Sequence, residues 1–162
     1  MASDVRVNAR VELFGRVLGT VGETTPVEPI RTALEQLFTH GTGAGQATVF
    51  WSAQGTVGVE GVTYDLQDGS QTDSEGNALV LTSLRALYVQ NRHATYTLQV
   101  RGDCGNVLVL PGTAEHYMQV KPGGAYLWIA PAGAAVSASA DVIILEGTTG
   151  VTYTVAALGV TA

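Results

Sequence analysis

Residues 116–160 read HYMQVKPGGAYLWIAPAGAAVSASADVIILEGTTGVTYTVAALGV. Four runs stand out: HYMQVK (116–121), AYLWIA (125–130), DVIILE (141–146) and VTYTVAALGV (151–160). Each is short and rich in β-branched and aromatic residues. Pro122–Gly124, Pro131–Gly133 and Gly147–Gly150 separate them as turns. Short runs of this kind between Gly/Pro punctuation spell an antiparallel sandwich or barrel.

The same text continues N-terminally as far as Gly41. Thr48 to Val59 holds one or two strands with Val49 and Trp51 on one face. Val62, Tyr64 and Leu66 alternate with Thr63 and Asp65, and Tyr96, Leu98 and Val100 alternate with Thr97 and Gln99. Such alternation marks half-buried strands. Leu84 to Asn91 reads as a strand buried on both faces, and Asn106 to Leu110 as a further short strand. Residues 67–77, QDGSQTDSEGN, are a polar loop. The expectation is about eight to ten antiparallel strands in a jelly roll or related sandwich, since no helices intervene to cross over between parallel strands.

Residues 1–42 read differently. Val5, Val7, Ala9, Val11 and Leu13 alternate with Arg6, Asn8, Arg10 and Glu12, which predicts a strand with a charged outer side. A helix is predicted after it. Thr25 caps it, Pro26 suits its first position and Glu28 completes a capping box. Val27, Ile30, Leu34, Leu37 and Phe38 then recur at helical spacing, and Gly41 stops the run. The chain therefore divides into an arm of strand plus helix (1–42) and a β domain (43–162). Val5, Val7, Val11 and Leu13 on the arm, and Ile30, Leu34, Leu37 and Phe38 on the stripe, are the candidate interface residues. The stripe has two readings: a contact between copies of the chain, or a cap on the open end of its own barrel.

Composition excludes several classes. Hydrophobic residues make up 46% of the 162 and charged ones 14%, which argues against disorder. The net charge of −6 disfavours a nucleic-acid partner. The N-terminus has charges throughout and lacks the apolar core of a signal peptide. The longest apolar stretch, 125–136, is interrupted by Pro131 and Gly133 and is shorter than the roughly 18 residues of a membrane helix. Both point to synthesis in a cytoplasm with no membrane partner. Cys104 is the single cysteine, so no internal disulfide forms.

No chemical motif is complete. His40, His93 and His116 contain no H-x-H pair of the kind a β-barrel metalloenzyme uses. Asp65, Asp68, Asp73 and Glu75 offer hard oxygen ligands, but their spacing is not that of a calcium loop, and a solvated turn is the expectation. Ser137, Ser139 and Asp141 lack a nucleophile elbow and a nearby histidine. The sequence therefore assigns no catalytic residue, no metal and no cofactor. Of the aromatics, Tyr126 and Trp128 share one face of their run, opposite Leu127 and Ile129; core filling is the expected use of most.

Two stretches resemble a known family. In residues 41–91 a Gly-rich opening (Gly43, Gln46, Ala47) leads to a strand and the pair Asp65-Leu66. A polar loop with Gly76-Asn77 follows, then an apolar strand ending in Asn91. Residues 120–159 run V-K-P-G-G, an apolar strand, A-P-x-G, a D-x-I-x-L strand and a final strand to Leu-Gly. Together these resemble the small jelly-roll decoration, or cement, proteins of tailed-bacteriophage capsids. The resemblance implies a structural, non-enzymatic virion protein on the outer face of the head. It implies the major capsid protein as partner and self-association as a dimer or trimer. The alternative is a receptor- or glycan-binding module of a phage fibre or head appendage, in which surface aromatics do the binding.

Overall fold

The computed structural model describes residues 5–15, 30–102 and 117–161, and within them contains eleven strands and no helix. Strand β1 (Val7–Gly15) pairs antiparallel with β2 (Ile30–His40), and β3 (Gln46–Ala47) adds two residues parallel to the end of β2. The rest forms two four-stranded antiparallel sheets. One contains β4 (Val49–Thr56), β6 (Leu81–Asn91), β9 (Ala125–Ala135) and β11 (Thr152–Thr161), in the order β4-β11-β6-β9. The other contains β5 (Val62–Asp65), β7 (Leu98–Arg101), β8 (Met118–Val120) and β10 (Val142–Gly147), in the order β5-β10-β7-β8.

The alternation read in the sequence sets the layers. Val49 and Trp51 of β4, Leu87 and Val89 of β6, and Tyr153 and Val155 of β11 point inward and are buried. They meet Leu98 and Val100 of β7 and Ile143 and Leu145 of β10 from the opposite sheet in one continuous core. Each such side chain, fully buried, is worth about 1.5–3 kcal/mol. The four C-terminal runs lie on β8, β9, β10 and β11, as the sequence predicts. Asn106–Leu110, His116 and Cys104 lie outside the described residues.

Two expectations are corrected. Residues 30–40 are a strand, and the predicted helix is absent from them; its capping residues 25–29 lie outside the described residues. Ile30, Leu34 and Phe38 are four apart, a spacing that satisfies both a helix face and a strand face. What decides is the partner. The ladder sets Val7 opposite Phe38, Val11 opposite Leu34 and Gly15 opposite Ile30, so the alternating arm supplies a matching edge. Tertiary pairing overrides the helix-forming Ala33-Leu34-Glu35-Gln36. Leu37 then falls on the opposite face from Phe38: it is 43% exposed, while Phe38 is fully buried.

Pro131–Gly133 also does not end a strand. It forms a wide bulge inside β9, which loops out between Ile129, opposite Ala86, and Ala134, opposite Leu84. Gly133 has φ +82°, and a Cβ there would lie 2.6 Å from Arg85 Nη1, so the bulge needs glycine.

Candidate functional site

The β1–β2 hairpin lies on the outer face of the β4-β11-β6-β9 sheet, as a third layer. Val5, Val7 and Ala9 turn toward a second small core of Phe38, Ala47, Ala86 and Leu158, with Phe50 and Ile129 beside it. Arg6, Asn8 and Arg10 turn the other way and are exposed. The hairpin covers the sheet incompletely. Between Val7, Ala9 and the sheet residues Phe50, Tyr88, Leu127 and Ala156 runs a largely apolar groove of about 310 Å³.

The candidate interface residues are thereby divided. Val5 and Val7 are half-buried within the chain, and Phe38 is wholly buried beneath them. Leu37 faces outward. Val11, Leu13, Ile30 and Leu34 occupy register positions on the same ladder, and their side chains lie outside the description. The face of Val5 and Val7, a candidate interface in the sequence, thus packs largely on the molecule's own sheet.

A buried arginine that the sequence reading missed fixes this layer. Arg85 is 5% exposed and sits opposite the bulge of β9. Its Nη1 donates to the Pro131 carbonyl at 3.0 Å, and its Nη2 donates to the Thr42 carbonyl at 2.9 Å. Pro131 O also accepts from Gly45 N at 2.9 Å. The guanidinium therefore ties the Gly-rich turn after β2 to the sandwich. Its signal was a lone charge inside the mostly apolar LRALYV run (84–89).

The acidic loop serves its own backbone. Asp65 Oδ1 accepts from the amides of Gln67 and Asp68, and Asp73 Oδ1 accepts from those of Glu75 and Asn77. Hydrogen bonds from the Ser70 side chain and amide hold Asp68 below the usual carboxylate range. At Asp73 burial works upward, but the amides of Asn77 and Glu75 outweigh it and the net shift is also downward. Among the described residues no three His, Cys, Asp or Glu side chains are grouped to hold a metal. Asp141 differs: it is 5% exposed, and its Oδ1 has no hydrogen-bond partner among the described residues. Burial raises its pKa, and the charges of Asp65 and Asp68 add to the rise.

The remaining singled-out residues separate. Ser137 and Ser139 hydrogen-bond to each other at 3.3 Å. His40 ends β2, where its Nδ1 accepts from Val5 N at 3.5 Å. Trp51, Tyr64 and Tyr153 form a chain of edge-on ring contacts, and Tyr126 and Trp128 pack against the main core. Tyr96 and Tyr117 are exposed, and Tyr96 lines a polar cleft at the end of the sandwich.

No family model, curated protein or solved structure matches this chain. Among the described residues no helix is long and apolar enough to cross a membrane.

Proposed function

We propose that the protein decorates the head of a tailed bacteriophage, binding its outer surface as a dimer or trimer and bridging neighbouring major capsid proteins. One observation carries this reading: the open edge of β1. The strand is nine residues long and stands at the edge of its sheet, paired with β2 on one side only among the described residues. An unpaired edge of that length offers a row of backbone donors and acceptors to a strand of another chain. Arg6 lies beside that edge on the exposed face, where it suits an acidic loop of a partner.

The strand order gives independent support. The eight strands switch sheets at each step except from β7 to β8, which pair with each other, and give β4-β11-β6-β9 and β5-β10-β7-β8. The order resembles that of the jelly rolls found in capsid and lectin domains. A fold alone does not fix function, so the edge and not the topology carries the proposal.

The test is binding of purified protein to heads that lack it, scored as occupancy after sedimentation. Arg6→Glu is expected to lower occupancy and to reduce its sensitivity to salt. Equal occupancy by wild type and a folded Arg6→Glu protein would remove the β1 edge from the contact.

A further inference from the structure

The loops at one end of the sandwich form a second site, on a different sheet from the hairpin. The Val59–Gly61 turn, the Thr95–Gln99 segment and Glu146–Thr148 surround an open, mostly polar cleft of about 870 Å³. Ligand sites commonly measure about 300–1,000 Å³. Glu146 and Gln99 are direct ladder partners and alternate with buried Leu145 and Leu98, so their side chains form the outward floor. Two large apolar side chains stand exposed in this polar setting, Val59 at 86% and Tyr96 at 47%.

Tyr96 is held in place by its surroundings. Fully buried Asn91 donates through Nδ2 to the Tyr96 carbonyl at 2.7 Å and to the Val120 carbonyl at 2.9 Å. Its Oδ1 accepts from His93 N at 2.9 Å. The His93 ring stacks on the Tyr96 ring with centroids 4.8 Å apart, and its Nδ1 accepts from Tyr96 N at 3.0 Å. Glu146 is also fixed, since Arg101 grips it through two hydrogen bonds of 3.0 and 2.5 Å. The Tyr96 ring is thus ordered in advance beside a fixed carboxylate and the Gln99 amide. A rigid tyrosine gives broad amphipathic contact at little further loss of side-chain entropy.

We propose that this cleft binds an uncharged oligosaccharide. One sugar ring lays its C–H face on Tyr96, and its hydroxyls bond to Gln99 and Glu146. Glu146 is neutralised by Arg101, so the charge of Glu60 at the rim, with the chain's net charge of −6, is what selects against sialic or uronic acids. The cleft opens from the β5-β10-β7-β8 sheet and the hairpin covers the other sheet, so strand addition at β1 leaves the cleft accessible. The inference does not depend on the head-binding proposal.

The experiment is a microarray of neutral and acidic glycans probed with the full chain, followed by titration of the best neutral oligosaccharide by saturation-transfer NMR. Binding of a neutral hexose or N-acetylhexosamine oligomer is expected, with Tyr96→Phe close to wild type. Tyr96→Ala is expected to weaken binding at least about tenfold, a loss of about 1.4 kcal/mol. Gln99→Ala, an outward change on the cleft floor, is expected to weaken it several-fold and carries the test if Tyr96→Ala fails to fold. Capture of acidic glycans alone, or of none, overturns the proposal, as does unchanged affinity in folded Tyr96→Ala or Gln99→Ala protein. Head occupancy measured with and without saturating glycan separates the two readings: unchanged occupancy keeps the sites distinct, and competition overturns the placement of the cleft.

Discussion

Val7 of β1 stands directly opposite Phe38 of β2, and both turn toward the outer face of the sandwich. Phe38 is fully buried there, while its neighbour Leu37 is 43% exposed. Phe38→Ala is therefore expected to weaken docking of the hairpin by about 3–5 kcal/mol. Hydrogen exchange should show lost protection across 7–15 and 35–40. Leu37→Ala should change stability by no more than about 0.5 kcal/mol. Similar losses for both variants would contradict the strand assignment and favour a helical stripe.

The sandwich was legible in the sequence because its strands alternate against Gly/Pro turns, and β4, β5, β6, β7 and the four C-terminal strands all appear where that pattern puts them. β2 was not legible. Its apolar residues at 30, 34 and 38 fit two periods, and only the pairing with β1, distant in sequence, selects one. The bulge at Pro131–Gly133 read as a turn for a similar reason: the signal of broken pairing is the same whether the strand ends or resumes. Arg85 and Asn91 were invisible as organisers because their partners are backbone carbonyls, which leave no mark in the sequence.

Tyr64 and Tyr153 join the two sheets through a hydroxyl–hydroxyl bond of 2.7 Å. Burial first, then the bond to Tyr153, pushes the Tyr64 pKa above its ordinary value of 10.0. The native state thus keeps a proton that the unfolded chain gives up. Stability from this group is complete below about pH 10 and falls as pH rises beyond it. Tyr64→Phe is expected to lose about 0.5–1.5 kcal/mol at neutral pH and to flatten that alkaline decline. An alkaline melting curve parallel to wild type would contradict the assignment.

Asp141 gives the opposite kind of test. Its raised pKa means that the fold disfavours the carboxylate. Its contribution is most favourable below the ordinary value of 3.8 and is lost as pH rises through the raised native value. Asp141→Asn should therefore stabilise the protein at pH 7, with the gain shrinking toward pH 3.5. A destabilised variant at pH 7 would show that the carboxylate has a stabilising partner.

The carboxylates of the 65–77 loop accept from backbone amides of the same loop, so the fold is expected to stand without a cation. Thermal melts with chelator and with added calcium should coincide. A melting temperature that climbs with calcium concentration would contradict this, because mass action stabilises only a state that binds.

Head decoration is tested most directly by comparing low-resolution reconstructions of virions with and without this chain. The account predicts symmetric difference density on the outer head surface, touching two or more capsid subunits, with the β1 edge toward the shell. Density confined to the tail or a fibre, or virions identical with and without the chain, would contradict it.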